Sequence, residues 1–434
     1  MELFSTKNRN LRHRWSDAVL RGLAPDGGLY LPVELPHLSS STLAEFAKLP
    51  FPDLAYELAR RFLCDDVPDR VIKELCASAF TFDVPLRQIS EGTHLLELFH
   101  GPTCAFKDFG ARFMAGLFRH FLGSTDRPLT VLVATSGDTG SAVANAFFDR
   151  SDSPSIRVAI LFPKGKVSLV QEKQMTTLGH NVSAYEVDGT FDDCQTLVKQ
   201  ALADKDLTSR HPFTSANSIN IARLLPQMFY YMYAALKVTT SGAPIFSVPS
   251  GNLGNLTGGI IGHLIGMPAA HFIAACNFNA PFPEYLRSGN YRPHPSQETL
   301  SNAMDVGNPS NYVRLLSLFD NQLAPMRALI SGDQVTDEET VATIATTYQE
   351  TGYVLDPHTA VGVLALERYQ RQSGESNPGV VLATAHPAKF ASTVATAIGR
   401  DPEIPTQLAD ALKKEGSKFS LPNSYSELKK ILDR

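Results

Sequence analysis

Tryptophan occurs once and cysteine five times in 434 residues, and no two cysteines form a CxxC pair. Cys64, Cys76, Cys104, Cys194 and Cys276 are odd in number and scattered, which argues against a disulfide framework or a thiolate zinc site. Neither sign of charge dominates. The 39 Lys and Arg stand against 44 Asp and Glu, a net charge of -5, so no electrostatic footprint for nucleic acid or an anionic membrane is present. HExxH, GxSxG and clusters of carboxylate ligands are all missing, and no metal is expected. The opening MELFSTKNRN lacks the apolar centre of a secretory signal, so a cytoplasmic enzyme is the expectation.

Charge is also missing from Val238 to Pro283, a run of 46 residues. A transmembrane helix needs about 20 mostly apolar residues in succession. Pro244, Pro249 and Pro268, with Gly251, Gly254, Gly258 and Gly259, break the run into pieces. It therefore reads as buried strand, glycine-rich loop, helix and strand inside a water-soluble domain.

What is present is a globular composition, 43% apolar and 19% charged, with enough mass for two or three domains. Residues 1–82 read as an N-terminal unit, with a turn at Pro25–Gly28 and helical periodicity over 53–64 and 68–79. From 83 to 400, short apolar runs alternate with amphipathic segments. The runs are Leu129–Ala134, Arg157–Pro163, Val182–Val187, Ile245–Pro249, His271–Cys276 and Val380–Thr384; helical segments include Ser141–Phe148, Ser168–Leu178 and Phe191–Ala203. Strand–helix–strand alternation at this spacing predicts an α/β fold with parallel sheets covered by helices, in two lobes with a cleft between them. The polar tail 401–434 is expected to be helical at 404–414 and 423–433.

Six segments can carry chemistry. In Val248–Gly259, between a strand and a helix, glycines let N–H groups converge at a helix N-terminus, which suits a phosphate. Its pattern is neither GxGxxG nor GxxxxGK[ST], so dinucleotide and P-loop sites are disfavoured. In Leu95–Gly110, Lys107 opens a helical pattern between Phe106 and Phe109; an apolar setting disfavours its ammonium form, and a neutral amine can form a Schiff base. Ala134–Ser141 offers hydroxyls and N–H groups for a carboxylate, or simple helix capping by Ser136 or Thr139. Thr384, ending a strand in Leu382–Lys389, can bond a ring nitrogen. Thr214–Arg223 places short polar groups and one arginine at an apparent helix entry. Asp305–Asn311 reads as a structural turn.

Each signal is weak alone, but their order is informative. HGPTxAFKDFG, ATSGDTG, SANSINIxRL, PSGNxGxLTGG, SNAMDVxNPSN and LxTAHPAKF together resemble the tryptophan-synthase-β class of pyridoxal-phosphate enzymes. More narrowly they resemble the threonine synthase family of the longer bacterial and fungal type, and the likeness covers nearly the whole chain. It implies a lyase of threonine biosynthesis with pyridoxal phosphate as cofactor and the small molecule O-phospho-L-homoserine as substrate. Carried over by position, Lys107 would hold the cofactor as a Schiff base, and Gly251, Asn252, Leu253, Gly254 and Asn255 would cradle its phosphate. Thr384 would bond its ring nitrogen, and Ser136 to Thr139 would take the substrate carboxylate, with Asp138 near the ring. A second phosphate cradle for the substrate is expected from Asn217, Ser218, Asn220 and Arg223, because the leaving group needs a fixed cation of its own. The pattern departs from the family twice. Shorter members have Asn where this chain has Asp138, and a carboxylate facing a phenolate is repulsive unless protonated or turned away; Cys104 stands where Leu is expected. Another phospho-lyase on the same scaffold, or a silent ligand-binding protein, are the competing readings.

Overall fold

Strands buried on both faces need apolar residues at every position rather than alternate ones, and the continuous apolar runs become the centres of two sheets. The computed structural model describes residues 1–123, 128–152, 154–238 and 242–433. A five-stranded, all-parallel sheet has the order Phe419–Pro422, Val182–Asp188, Ile156–Pro163, Leu129–Ala134, Phe213–Ser215. A six-stranded sheet has the order Ile330–Gln334, His271–Cys276, Ile245–Pro249, Gly379–Ala383, Thr93–Glu97, Leu86–Ser90, parallel except for its last pair. Two parallel-sheet lobes are thus present as expected. A small antiparallel sheet near the N-terminus sets Leu3–Ser5 between Asn8–His13 and Tyr30–Pro32.

The helices of the N-terminal segment, Phe51–Leu63 and Asp69–Ala79, lie within two residues of the expected spans. Both bury one face against the helices Lys107–Leu122 and Gln227–Val238. Phe51 and Phe80 meet Phe109 at ring-centroid distances of 5.6 and 5.8 Å. Two expectations need correction. The helix expected from Ser141 begins at Asp138, which puts Asp138 and Thr139 in its first turn. The tail forms helices at Thr406–Leu412 and Tyr425–Leu432, as expected, but also the strand Phe419–Pro422, which completes the five-stranded sheet. Of the charge-free run, residues 239–241 lie outside the described residues; among those described, no helix is long and apolar enough to cross a membrane.

Parallel strands in one sheet direct their carboxyl ends to one edge, where ligands of open α/β sheets bind. The loops following Leu129–Ala134, Phe213–Ser215, Ile245–Pro249 and Gly379–Ala383 all line one cleft between the lobes.

Candidate active site

Lys107 is the first residue of its helix, and the backbone sets its place. Phe106 N donates to Thr384 O at 2.8 Å and His386 N donates to Cys104 O at 3.1 Å, so the lysine loop is stitched to the end of the strand carrying Thr384. Cys104 takes a left-handed φ of 55° to make this turn and is buried. Asp108 closes the loop by accepting from Thr103 N at 2.8 Å and Thr103 Oγ1 at 2.7 Å; burial nonetheless pushes its carboxyl up to about 6.

The Lys107 side chain is 14% exposed, and its amine faces Asp138 Oδ2 at 3.3 Å. Burial, with repulsion from Lys389 and Arg223, outweighs the pull of Asp138 and lowers the pKa of the amine. Asp138 meets Lys389 Nζ at 2.8 Å and accepts from Gln171 Nε2 at 2.9 Å, both at Oδ1. Burial disfavours its charge, but Lys389 and Lys107 overcome this and hold the carboxyl well below the usual range. The Asp138 carboxylate is thus held ionised by two lysines, Lys389 and Lys107. Gly137 is essential to the arrangement: at φ 133°, a Cβ there would lie 2.3 Å from Gln171 Cδ.

The glycine-rich loop follows Ile245–Pro249. Ser250 N donates to Ala275 O at 2.8 Å, and Leu253 takes a left-handed φ of 58° to turn the chain into the helix Gly254–Leu264. Gly251 allows close approach, since a Cβ would stand 2.8 Å from Met304 Cα. Asn255 Oδ1 accepts from Tyr230 Oη at 2.6 Å and Tyr231 Oη at 2.9 Å, leaving its Nδ2 buried without a protein partner. Asn252 is spent on scaffolding: its Oδ1 accepts from Ser310 N at 2.5 Å and its Nδ2 donates to Ser218 Oγ at 3.1 Å. Gly251 to Asn255 all line the cleft, as do Lys107, Ser136, Asp138, Thr139 and Thr384. The hydroxyls of Ser136, Thr139 and Thr384 have no protein partner among the described residues.

The 214–223 segment divides. Arg223 is buried and lines the cleft; its Nη1 donates to Ala216 O at 2.7 Å, while Nε has no protein partner, and burial lowers its pKa to about 10. Ser218 also lines the cleft, and its Oγ accepts from Asn252 and Asn311, which leaves its own proton to donate. Asn217 reaches the lining, but its amide bridges to Ala134, accepting from N at 3.1 Å and donating to O at 2.7 Å. Asn220 is not in the lining. Its Nδ2 donates to Val19 O at 2.8 Å and its Oδ1 caps Ala222 N, so it is a structural residue. The expected helix entry is only the four-residue turn Ile221–Leu224, too short to add a useful dipole. Three contributors were missed. Lys389 and Gln171 hold Asp138, and the Asp305–Asn311 loop, read as structural, sends Asn311 to Ser218 and places Val306 beside Ala303 and Met304 in the cleft wall. Arg314 anchors that wall, donating to the carbonyls of Tyr30, Ser218 and Ile219. The AHPAKF and DVxNPSN strings contain Lys389 and Asn311, but no motif signalled Gln171 or Arg314.

Comparison with known proteins gives a consistent answer. Family models for pyridoxal-phosphate dependent enzymes, the threonine synthase N terminus and the threonine synthase C-terminal region match residues 84–385, 2–80 and 359–432. Threonine synthase of Escherichia coli (strain K12) is 41% identical over 434 residues, covering 100% of this chain and 99% of its own. This chain belongs to the threonine synthase family. The threonine synthase of Saccharomyces cerevisiae is 37% identical, with 88% and 86% of the two chains covered. Among solved structures, E. coli threonine synthase superposes with a TM-score of 0.94 at 40% identity, covering 100% of this chain and 99% of that one. A PLP-bound threonine synthase from Brucella melitensis superposes at 0.90 and 35%, covering 100% and 98%. The cleft of this family member fits that cofactor. Its lysine has a lowered pKa, its phosphate loop is neutral and glycine-lined, and the buried Asn255 Nδ2 awaits an acceptor.

Proposed function

We propose that this chain converts O-phospho-L-homoserine and water to L-threonine and phosphate, with pyridoxal phosphate held through Lys107. The observation that carries this reading is the buried amine of Lys107, driven toward its neutral form at the edge of a cleft whose phosphate loop holds no cation. When bound, pyridoxal phosphate supplies an aldehyde for amine condensation and an electron-poor ring that delocalises charge left on carbon.

The placement of the chain's own groups supports the following roles. Asn255 Nδ2, with the first N–H groups of the helix Gly254–Leu264, binds the cofactor phosphate. The Thr384 hydroxyl would bond the ring nitrogen; a hydroxyl is a poor acid and would leave that nitrogen unprotonated. Ser136 and Thr139 hold the substrate carboxylate. Ser218 and Arg223 hold the substrate phosphate, the donors meeting the charge that develops as it departs. Asn217 borders this cradle, and Asn220 supports it from behind. With the cofactor bound, the Lys107 amine would be the base that takes the α-proton and returns protons to the substrate carbons, one group serving several transfers.

The test supplies purified protein with pyridoxal phosphate and O-phospho-L-homoserine and follows threonine and phosphate together. Equal amounts of both are expected, and borohydride should fix the cofactor to Lys107 in the peptide mass map. Release of 2-oxobutyrate and ammonia in place of threonine, or a label on another lysine, rejects the reading.

A further inference from the structure

The Lys389 side chain has no solvent exposure. A buried ammonium is tolerated only where polar and charged partners replace its water. Its partners here are Asp138 Oδ1 at 2.8 Å and the Thr103 carbonyl at 2.9 Å. The same carboxylate reaches Lys107 Nζ only at 3.3 Å, through its other oxygen. Two lysines thus share one carboxylate, and the closer contact goes to the one outside the cleft lining.

The charge count gives this asymmetry a consequence. Were Lys107 alone with Asp138, the buried pair would be neutral with both groups ionised, and each would hold the other charged. With Lys389 added, the trio carries +1 when both lysines are protonated and is neutral once one gives up its proton. Burial favours the neutral count, and the lysine with the weaker contact yields. The groups bearing on Lys107 are Asp138 from the helix Asp138–Phe147, Lys389 from the turn Pro387–Phe390 and Arg223 from Ile221–Leu224; the Phe106 ring lies 4.8 Å from Nζ. Asp108 in turn bears on Lys389 and Arg223.

We propose that Lys389 is a positioning residue for the reaction: it serves as the resident counter-cation of Asp138 and so leaves Lys107 free to work as an uncharged amine. The inference rests on Lys107 being the reacting amine, as proposed above.

The test reads Lys107 directly. Full-length protein stripped of cofactor is exposed to a trace of acetic anhydride across about pH 6 to 11, and peptide mass gives the pH midpoint of Lys107 acetylation. Lys389→Met should raise the midpoint by about one pH unit or more, a roughly tenfold loss of free amine at a given pH, and Lys389→Arg should restore it. A folded Lys389→Met protein with its midpoint within about 0.3 unit of native overturns the proposal. Should Lys389→Met not fold, Lys389→Gln, which keeps a neutral donor toward Asp138, is read in its place. Its midpoint must again rise, and a folded Lys389→Gln protein with a native midpoint overturns the proposal. Borohydride reduction of the loaded native protein is run alongside. A label on a lysine other than 107 rejects the reacting amine itself, so the two failures are told apart.

Discussion

Arg223 sits where a cation is costly and unmatched: buried, bonded to one carbonyl, with Nε unused and no carboxylate in contact. A guanidinium kept in that state is ready to receive an anion, and its planar fork suits phosphate oxygens. Arg223→Ala should remove about 2–4 kcal/mol of transition-state stabilisation, so kcat/KM for O-phospho-L-homoserine is expected to fall roughly 30- to 1000-fold. Cofactor content should stay normal, because the Gly251–Asn255 loop does not use this side chain. A fall below about threefold, or loss of cofactor with it, places the substrate phosphate elsewhere. At this scale the sequence was readable wherever a cleft-lining residue comes within two residues of a strand end, as Ser136, Gly251 and Thr384 do. It was unreadable where a role depends on distant partners. Nothing local marks Lys389 as buried, since its burial is set by Asp138, and nothing local tells that Asn220 is turned toward Val19 rather than the cleft.

Elements buried on both faces declared themselves as apolar runs, and Leu129–Ala134, Ile245–Pro249 and His271–Cys276 match the expected spans residue for residue. Edge strands did not. Leu86–Ser90, Ile330–Gln334 and Phe419–Pro422 are partly exposed and carry too few apolar residues to form a run. The helix at Asp138 was similarly hidden, because its first turn is polar and contains Gly140. The edge strand Phe419–Pro422 nevertheless contributes to the core through Leu421, which is 1% exposed and clusters with Val187, Cys194 and Leu197. Leu421→Ala is expected to cost about 2–5 kcal/mol, read as a lower urea midpoint with the slope unchanged. A midpoint equal to native would mean that the strand is not part of the cooperative fold.

For the whole molecule, the N-terminal segment shares one hydrophobic cluster with the helices Lys107–Leu122 and Gln227–Val238, in which Leu54, Leu58 and Phe80 join Phe109, Phe113 and Phe229. Those last three side chains would face water without their cover. A chain beginning at residue 83 is therefore expected to aggregate or to bind the dye ANS in a loosely packed state. A soluble fragment with a single sharp unfolding transition would show that the two parts are separable. The strand Gly379–Ala383 lies between Ile245–Pro249 and Thr93–Glu97, so the middle of the six-stranded sheet is supplied by nearly the last part of the chain. On the ribosome, Lys107 emerges early, but Thr384 and Lys389 join it only once almost all of the polypeptide has left the exit tunnel. A nascent chain halted before that strand holds two unjoined sheet edges, a hazard for aggregation. Vectorial synthesis thus completes the cleft around Lys107 only late, with little more than the tail helices and the edge strand Phe419–Pro422 still to follow.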